Sequence, residues 1–517
     1  MAAFAERATM SQLLTARYAS KIRGILSCFD RIVLTGTLPE ICHPDGMTKH
    51  LGGKGIRVFD FVRWAEPLSK EIRAHAERLA AENDLTIEYI NKRGVRKEER
   101  IEAVLAKRGD HPGLVHIFSA IEPCTEYRPW HDKTSGTTFL RRKESKCLHY
   151  YFYFVDADLG LCYFRIPTWA PFRVQFYCNG HGWLAAKLRR DAIDFDLRSN
   201  AFISIANWEL AQQMAESLDP YGLHRRLQEF VTVFCPIARH FRTPYYWSFM
   251  QVEYALDIVF NHQDDLAPIY DNLVRTAVHA VKAPDVATFL GRKLTDRTPD
   301  EVGNNFQTRI EGTRIRHYMG WASIKMYDKF ALILRIETVC NDISFFRHYR
   351  RVEHPNGTSE MKLAPMKRSI YSFPALQEIM AAANRRYLEF LSTLDDPTAG
   401  VSHLDRVSQP ARKGERSYRG FNFFSRADRQ VFQTILAGQF NISGFRNKDL
   451  RRGLCDCTAS QVSRIVARLR LHGLVKKIGH QSKYYLTRLG RAVAIAALGL
   501  ETFFLIPQLA RPLAVRS

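Results

Sequence analysis

Hydrophobic positions recur along this chain with two periods, and the changes of period mark its elements. Residues 1–30 read as helical and lead into an apolar run at 31–37 that predicts a short buried strand. Between 67 and 82, Leu68, Ile72, Ala76, Leu79 and Ala80 approximate a 3.6-residue repeat, which predicts an amphipathic helix with Pro67 at its first position. A strand at 85–90, a helix at 95–107 ended by Gly109 and a strand at 113–120 follow. Alternation of strands with helices predicts an α/β domain with a largely parallel sheet over 1–124. No glycine-rich phosphate loop stands at any of its strand-to-helix junctions, so nucleotide binding of that kind has no support.

The next stretch, 125–147, is polar and basic, with Lys133, Arg141, Arg142, Lys143 and Lys146, and is expected to be a surface loop. Strands are expected at 149–156, 161–166 and 172–178, with Asn179-Gly180 turning the chain into a helix at 181–190. Helices are predicted at 208–218, 221–234, 266–281 and 373–394, a hairpin within 313–340, and either a strand or a helix at 246–260. The pattern gives an α+β central domain over 125–394. Residues 395–420, rich in Pro, Gly, Ser and charge, read as a linker to a last domain at 421–517. The expected whole is an α/β and α+β multidomain body with a C-terminal winged helix-turn-helix.

Charge sharpens the picture. The chain of 517 residues carries a formal +22, and residues 408–517 hold 20 Lys and Arg against five Asp and Glu, so this fifth of the chain carries +15. Such a concentrated field suits a polyanion, with DNA the expected partner. Ten cysteines without a repeated spacing point to free thiols in a reducing cytoplasm, and Cys455-x-Cys457 lacks the second pair a zinc site needs. No apolar run is long enough to cross a membrane and no secretion leader is expected. A membrane partner is therefore not expected, and a homodimer is compatible with the composition.

The last domain is patterned most clearly. Ser425 can cap a helix at 426–437 with Gly438 as its stop, and Asn447 a short helix at 448–454. Thr458-Ala-Ser-Gln461 is a capping box, and Val462, Ile465, Val466 and Leu469 form the buried stripe of the helix it opens. Ser460, Ser463, Arg464 and Arg468 are then expected on the outward face, where such groups read base edges. A hairpin with Lys476, Lys477 and Lys483 around a tip at 479–482 would contact the DNA backbone or minor groove. The run QVSRIVARLRLHGLVKK followed by KYYLTRLGRA resembles the winged-helix domains of multiple-antibiotic-resistance (MarR) regulators. The resemblance covers about the last ninety residues and implies DNA binding without a specific site; some winged helices serve only as protein–protein modules.

Two groups in the centre could carry chemistry. Asp156 and Asp158 have the i, i+2 spacing that puts two carboxylates on one face of a strand, where they could share a divalent cation; Asp158-Leu-Gly160 is equally a turn sequence. In the second group Lys325, Tyr327 and Lys329 alternate along one strand, with Arg335 and Glu337 on the next. A tyrosine beside two lysines suits nucleophilic attack on phosphate, whereas cross-strand Lys–Glu pairing is the purely structural alternative. The segment K-x-Y-x-K … L-R-x-E is similar to part of some phage and plasmid rolling-circle replication initiators, and 251–257 faintly resembles their acidic strand. That resemblance implies strand nicking through a tyrosine with a divalent metal, Mg²⁺ or Mn²⁺. Asp257, Tyr327 and Glu337 are the counterparts, although no His-hydrophobic-His motif is present and Glu253 replaces the family's arginine. His181, at a strand-to-helix junction, reads more readily as structural than as a ligand. The expected function is a DNA-binding protein of mobile-element replication or recombination that nicks DNA through its central domain. A MarR-like transcription regulator without catalysis and an RNA-binding protein using 125–147 are the alternatives.

Overall fold

The computed structural model describes residues 13–510 except 92–93, 95, 295–300, 310–311, 355, 396–397, 438–439, 441–443, 455–456 and 479–482. The chain forms two compact units, 1–395 and 396–517. Among the described residues no helix is long and apolar enough to cross a membrane.

The first unit is built on one eleven-stranded mixed sheet, in the order β10-β11-β12-β13-β9-β1-β6-β5-β4-β3-β2. Its centre is an antiparallel pair of long strands, β1 (Ile22–Thr37) and β9 (Tyr246–Phe260), in contact along almost their whole length. From β1 the chain passes through the helices Pro44–Gly53 and Phe61–Glu82, the short β2 (Ile87–Tyr89) and the helix Lys97–Arg108. It returns as a meander of β3 (Gly113–Asp132), β4 (Thr137–Asp156), β5 (Gly160–Pro167) and β6 (Val174–Cys178), with β6 antiparallel beside β1. The helix Gly180–Arg190, the hairpin β7 (Phe195–Arg198)–β8 (Ala201–Ile205) and the helix Pro220–Phe234 lead on to β9. The plan then repeats. Helices Gln263–Ala280 and Ala283–Phe289 precede β10 (Val302–Arg309), β11 (Gly312–Met319), β12 (Ala322–Lys329) and β13 (Ile333–Cys340), and β13 closes antiparallel beside β9.

One face of the sheet is the apolar core. Phe152, Phe164 and Phe176 stand side by side on β4, β5 and β6 and stack under Phe230 and Phe234 of the helix Pro220–Phe234. Under β9 and β13 the cover is the helix Phe373–Asp395, whose buried Asn384 accepts from Thr338 at 2.6 Å and donates to the Tyr254 carbonyl at 3.0 Å. The other face carries Tyr153, Tyr163, Tyr177, Arg31, Glu253, Glu337 and Lys325, and the helices Lys97–Arg108, Gly180–Arg190 and Trp208–Glu216 and the β7–β8 hairpin lie over parts of it.

Several expectations are corrected. Residues 22–30 are strand, because their neighbours in β9 supply backbone partners and a buried apolar face that a local reading cannot see. The helix read as starting at Pro67 starts six residues earlier, at Phe61, with Pro67 inside it. The sheet is antiparallel apart from the β2–β3 pair, since the second half of each repeat is a hairpin meander. The stretch read as a loop, 125–147, is the outer part of the β3–β4 ribbon, in which Tyr127 pairs with Arg142 and Trp130 with Phe139. Alternating aromatic and polar residues favour a strand there, and the basic side chains occupy its exposed positions. Residue 124 lies within β3, so one sheet runs through both expected body domains. Residues 395–420 include the helix Thr398–Ser408 and the hairpin β16 (Ala411–Lys413)–β17 (Arg416–Tyr418). Between the sheet of the first unit and the helix Phe373–Asp395, β14 (Arg347–Glu353) and β15 (Ser359–Pro365) form a separate hairpin.

In the second unit, helices Arg426–Ile435, Asn447–Gly453 and Ala459–Leu471 precede the hairpin β18 (Val475–Lys477)–β19 (Tyr484–Leu486) and the helix Arg488–Gly499. Phe445 adds a bridge to Tyr484. Val462, Val466 and Leu469 are buried, and the Thr458–Gln461 capping box forms, with the Thr458 amide donating to Gln461 at 2.7 Å. Gly438, Cys455 and the hairpin tip at 479–482 lie outside the described residues.

Candidate active site

On the less covered face, β1, β9, β12 and β13 bring charged side chains together. The period-2 alternation of strands fixes most of the set: Lys325 pairs with Glu337, Tyr327 with Arg335, and Arg335 with Asp257. Asp30 joins by a different device. Phe29 pairs with Tyr254 and Arg31 with Glu253, so Asp30 is the extra residue of a β-bulge, and its carboxylate is turned onto the face that carries Glu253 and Glu337.

The fully buried Arg335 is the hub. It donates two hydrogen bonds of 2.6 Å to Asp257, one of 2.6 Å to the Asn200 carbonyl, and lies 3.5 Å from Asp30. His181, capped into place by Asn179, stands between the same carboxylates, 3.1 Å from Asp30 and 3.6 Å from Asp257. Asn200 donates to Asp30 at 2.5 Å and accepts from Lys329. Lys325 donates to Glu337 at 2.8 Å and sits 3.6 Å from Glu253, and the half-buried Tyr327 hydroxyl donates to the same Glu337 oxygen at 3.5 Å.

Burial would neutralise these groups singly; together they hold a definite charge pattern. Burial raises Asp257, but the Arg335 guanidinium and His181 overcome it and hold the carboxyl at about 2. Asp30 is opposed by burial in the same way and is held well below the usual carboxylate range by Arg335 and His181. Burial also pulls His181 down, yet Cys28, Asp257 and Asp30 keep it protonated. Glu337 is the exception: burial pushes it up to about 8 against the pull of Lys325, so it carries a proton beside ionised Asp30. Burial and Glu337 raise the Tyr327 phenol well above its usual range, and burial lowers Lys329 to about 8.

Asp30, Glu253 and Glu337 each offer a carboxylate oxygen, all within 4.8 Å of one another, a spacing from which a divalent cation could be held. The buried Glu337 Oε1, which has no hydrogen-bond partner, fits such an ion, whereas the Lys325 ammonium sits against two of the three carboxylates and would have to draw back to admit one.

Of the residues singled out in the sequence, Asp257, Lys325, Tyr327, Lys329 and Glu337 share this cluster. Asp156 does not. Its buried carboxylate accepts from the amides of Asp158 and Leu159 at 3.0 Å and pairs with Arg226, while Asp158 pairs with Arg190, so the two close a turn. Arg335, placed beside Glu337 by the sequence pattern but given no role, also lies here, whereas Asp30, Glu253 and Asn200 were not singled out as functional. His181, read as structural, lies inside the cluster.

In the second unit Ser460, Ser463, Arg464, Lys476 and Lys477 are exposed and Lys483 is half-buried. Arg468 is not on the outward face: it is buried, bonded to Asp428 at 2.7 and 2.9 Å and stacked 3.8 Å over Phe421. It clamps the helix Ala459–Leu471 to the helix Arg426–Ile435.

Comparison with protein-family models, curated proteins and solved structures gives no match.

Proposed function

We propose that the chain is a DNA-binding protein whose body cleaves a phosphodiester through Tyr327, with the C-terminal unit acting as a winged helix that holds the DNA. The observation that carries this is the meeting of Asp257, Tyr327 and Glu337 around Arg335, with Lys325 beside Tyr327 on one strand face. In the second unit, the capping box, the buried stripe and the exposed Arg464, Lys476 and Lys477 support the DNA-holding role.

In this reading Glu337 first gives up its own proton to solvent; Tyr327 Oη then attacks phosphorus and forms a phosphotyrosyl bond, and its proton passes to Glu337 Oε2. The deoxyribose oxygen that leaves takes a proton from solvent. A divalent cation, Mg²⁺ or Mn²⁺, among Asp30, Glu253 and Glu337 would supply the positive charge that replaces the Glu337 proton and faces the phosphate. Arg335, held by Asp257 and the Asn200 carbonyl, keeps Asp30 ionised and oriented. Lys325 and Lys329 flank the phenol and screen the phosphate charge.

The test is conversion of supercoiled plasmid to nicked circle with Mg²⁺ or Mn²⁺. Tyr327→Phe and Glu337→Gln are each expected to lower the rate at least a hundredfold. Nicking by Tyr327→Phe at the wild-type rate sinks the assignment.

A further inference from the structure

A cavity of about 800 Å³ opens on the same face of the sheet, between the helices Lys97–Arg108 and Gly180–Arg190. That volume falls in the usual range of ligand pockets. Its floor is a ladder of tyrosines on adjacent strands, with Tyr177 beside Tyr163 and Tyr163 beside Tyr153. The first two are stacked 5.0 Å apart at 14°. Ile101 and Leu105 form one side wall, and Ala185 and Ala186 the other.

Several polar groups of the lining are already engaged. Asp156 is held by Arg226, Arg189 by Asp110 at 2.8 Å, and Asn200 by Asp30 and Lys329. The Arg31 guanidinium and the hydroxyls of Tyr153 and Tyr163 make no hydrogen bond among the described residues. Arg31 lies over the Tyr177 ring at 5.4 Å and, against burial, is held charged by Tyr177, Glu253 and Glu98, and Glu98 lines the cavity together with Glu102. Donors above an aromatic floor, with the Glu98 and Glu102 carboxylates as acceptors on one wall, suit a flat ring system carrying both acceptors and donors along its edge. Nucleobases have that form, and the guanidinium fork matches an acceptor pair such as guanine O6 and N7.

The cavity also adjoins the charge cluster. Asn179 and Asn200, which line it, both donate to Asp30, at 3.4 and 2.5 Å. Ser199, on the rim, is held at φ 53°, a left-handed conformation that side-chain-bearing residues adopt only where the surroundings impose it.

We infer that this cavity is a nucleobase site, taking a base beside the phosphodiester that Tyr327 attacks. It rests on the proposed DNA chemistry, but binding and cleavage can be separated. The experiment uses the full chain carrying Tyr327→Phe and a fluorescein-labelled single-stranded oligodeoxynucleotide, followed by anisotropy. Single abasic substitutions are scanned along the strand, and dGMP, dAMP, dCMP and TMP are added as competitors. One abasic position is expected to weaken binding about tenfold. Arg31→Met should weaken the intact strand to the same extent and show no further loss at that position, with Tyr163→Phe giving a smaller loss. Competition by free nucleotides with no abasic effect would identify a free nucleotide as the source of the base. A flat abasic scan with no competition overturns the inference, even if the wild-type protein nicks DNA. A position-specific loss without any nicking by the wild type leaves the base site standing and removes the cleavage proposal.

Discussion

The two meanders of the body sheet close in the same way and are filled in opposite ways. On the less covered face of the first, Tyr163 pairs with Tyr177, which lies beside Val33 of β1; on the same face of the second, Lys325 pairs with Glu337, which lies beside Ala255 of β9. Burial raises the Tyr163 phenol to about 12 and pushes Tyr177 higher still, so the first position is neutral and needs no counter-charge. The second position holds Glu337 near ionised Asp30 and Asp257, balanced by Arg335, His181 and Lys325. Since neutral tyrosines suffice on this face of one meander, the topology does not require ions in the other. Buried ion networks are weak contributors to stability, because desolvation offsets the attraction. The proposed chemistry gives the charges of β12 and β13 a role that folding does not require.

That contrast is easiest to break at its hub. Arg335→Met would strand two buried carboxylates and is expected to destabilise the body by about 3–5 kcal/mol, whereas Tyr177→Phe in the first meander should cost about 1 kcal/mol. Urea denaturation measures both, and equal losses would remove the distinction.

The second unit repeats the contrast on one helix. Arg464 is exposed, while Arg468 is buried against Asp428. Arg464→Ala with Lys476→Ala should leave the fold intact, weaken duplex binding about tenfold, and reduce the slope of log K against log salt by about two. An unchanged slope would take these residues off the DNA.

The smallest effect concerns what the halves have in common. His149 on β4 and His317 on β11 are each lowered to about 4 by burial, so the folded state binds protons less well than the unfolded chain. Their contribution is intact above the unfolded value of 6.5 and lost as pH falls towards 4. From pH 7 to 5.5 each should cost roughly 1 kcal/mol. Replacing either by Asn should flatten the dependence equally, and a loss confined to one half would show that acid acts elsewhere.

How far the sequence revealed this site follows from the range of the interactions. Lys325, Tyr327 and Lys329 were legible as one face because strand alternation is local, and Arg335 and Glu337 followed from the adjoining hairpin. Asp30 was not, because it lies on a bulge defined by pairing with Glu253 and Tyr254, more than two hundred residues away, in a stretch that reads locally as helix. Asp156 looked like a ligand because spacing does not reveal that Arg226, on a later helix, takes the carboxylate. Arg468 was misplaced for the same reason: its partner Asp428 belongs to another helix. The repeated meander was invisible, since topology recurs with almost none of the residues kept.

The central claim is that Tyr327 forms a covalent bond to DNA. Protein incubated with single-stranded DNA and Mn²⁺, then digested with nuclease and protease, should yield a peptide containing Tyr327 that carries a phosphodeoxynucleotide by mass spectrometry, absent from Tyr327→Phe. Nicked DNA with no adduct on any tyrosine, or an adduct on a tyrosine other than Tyr327, would contradict it.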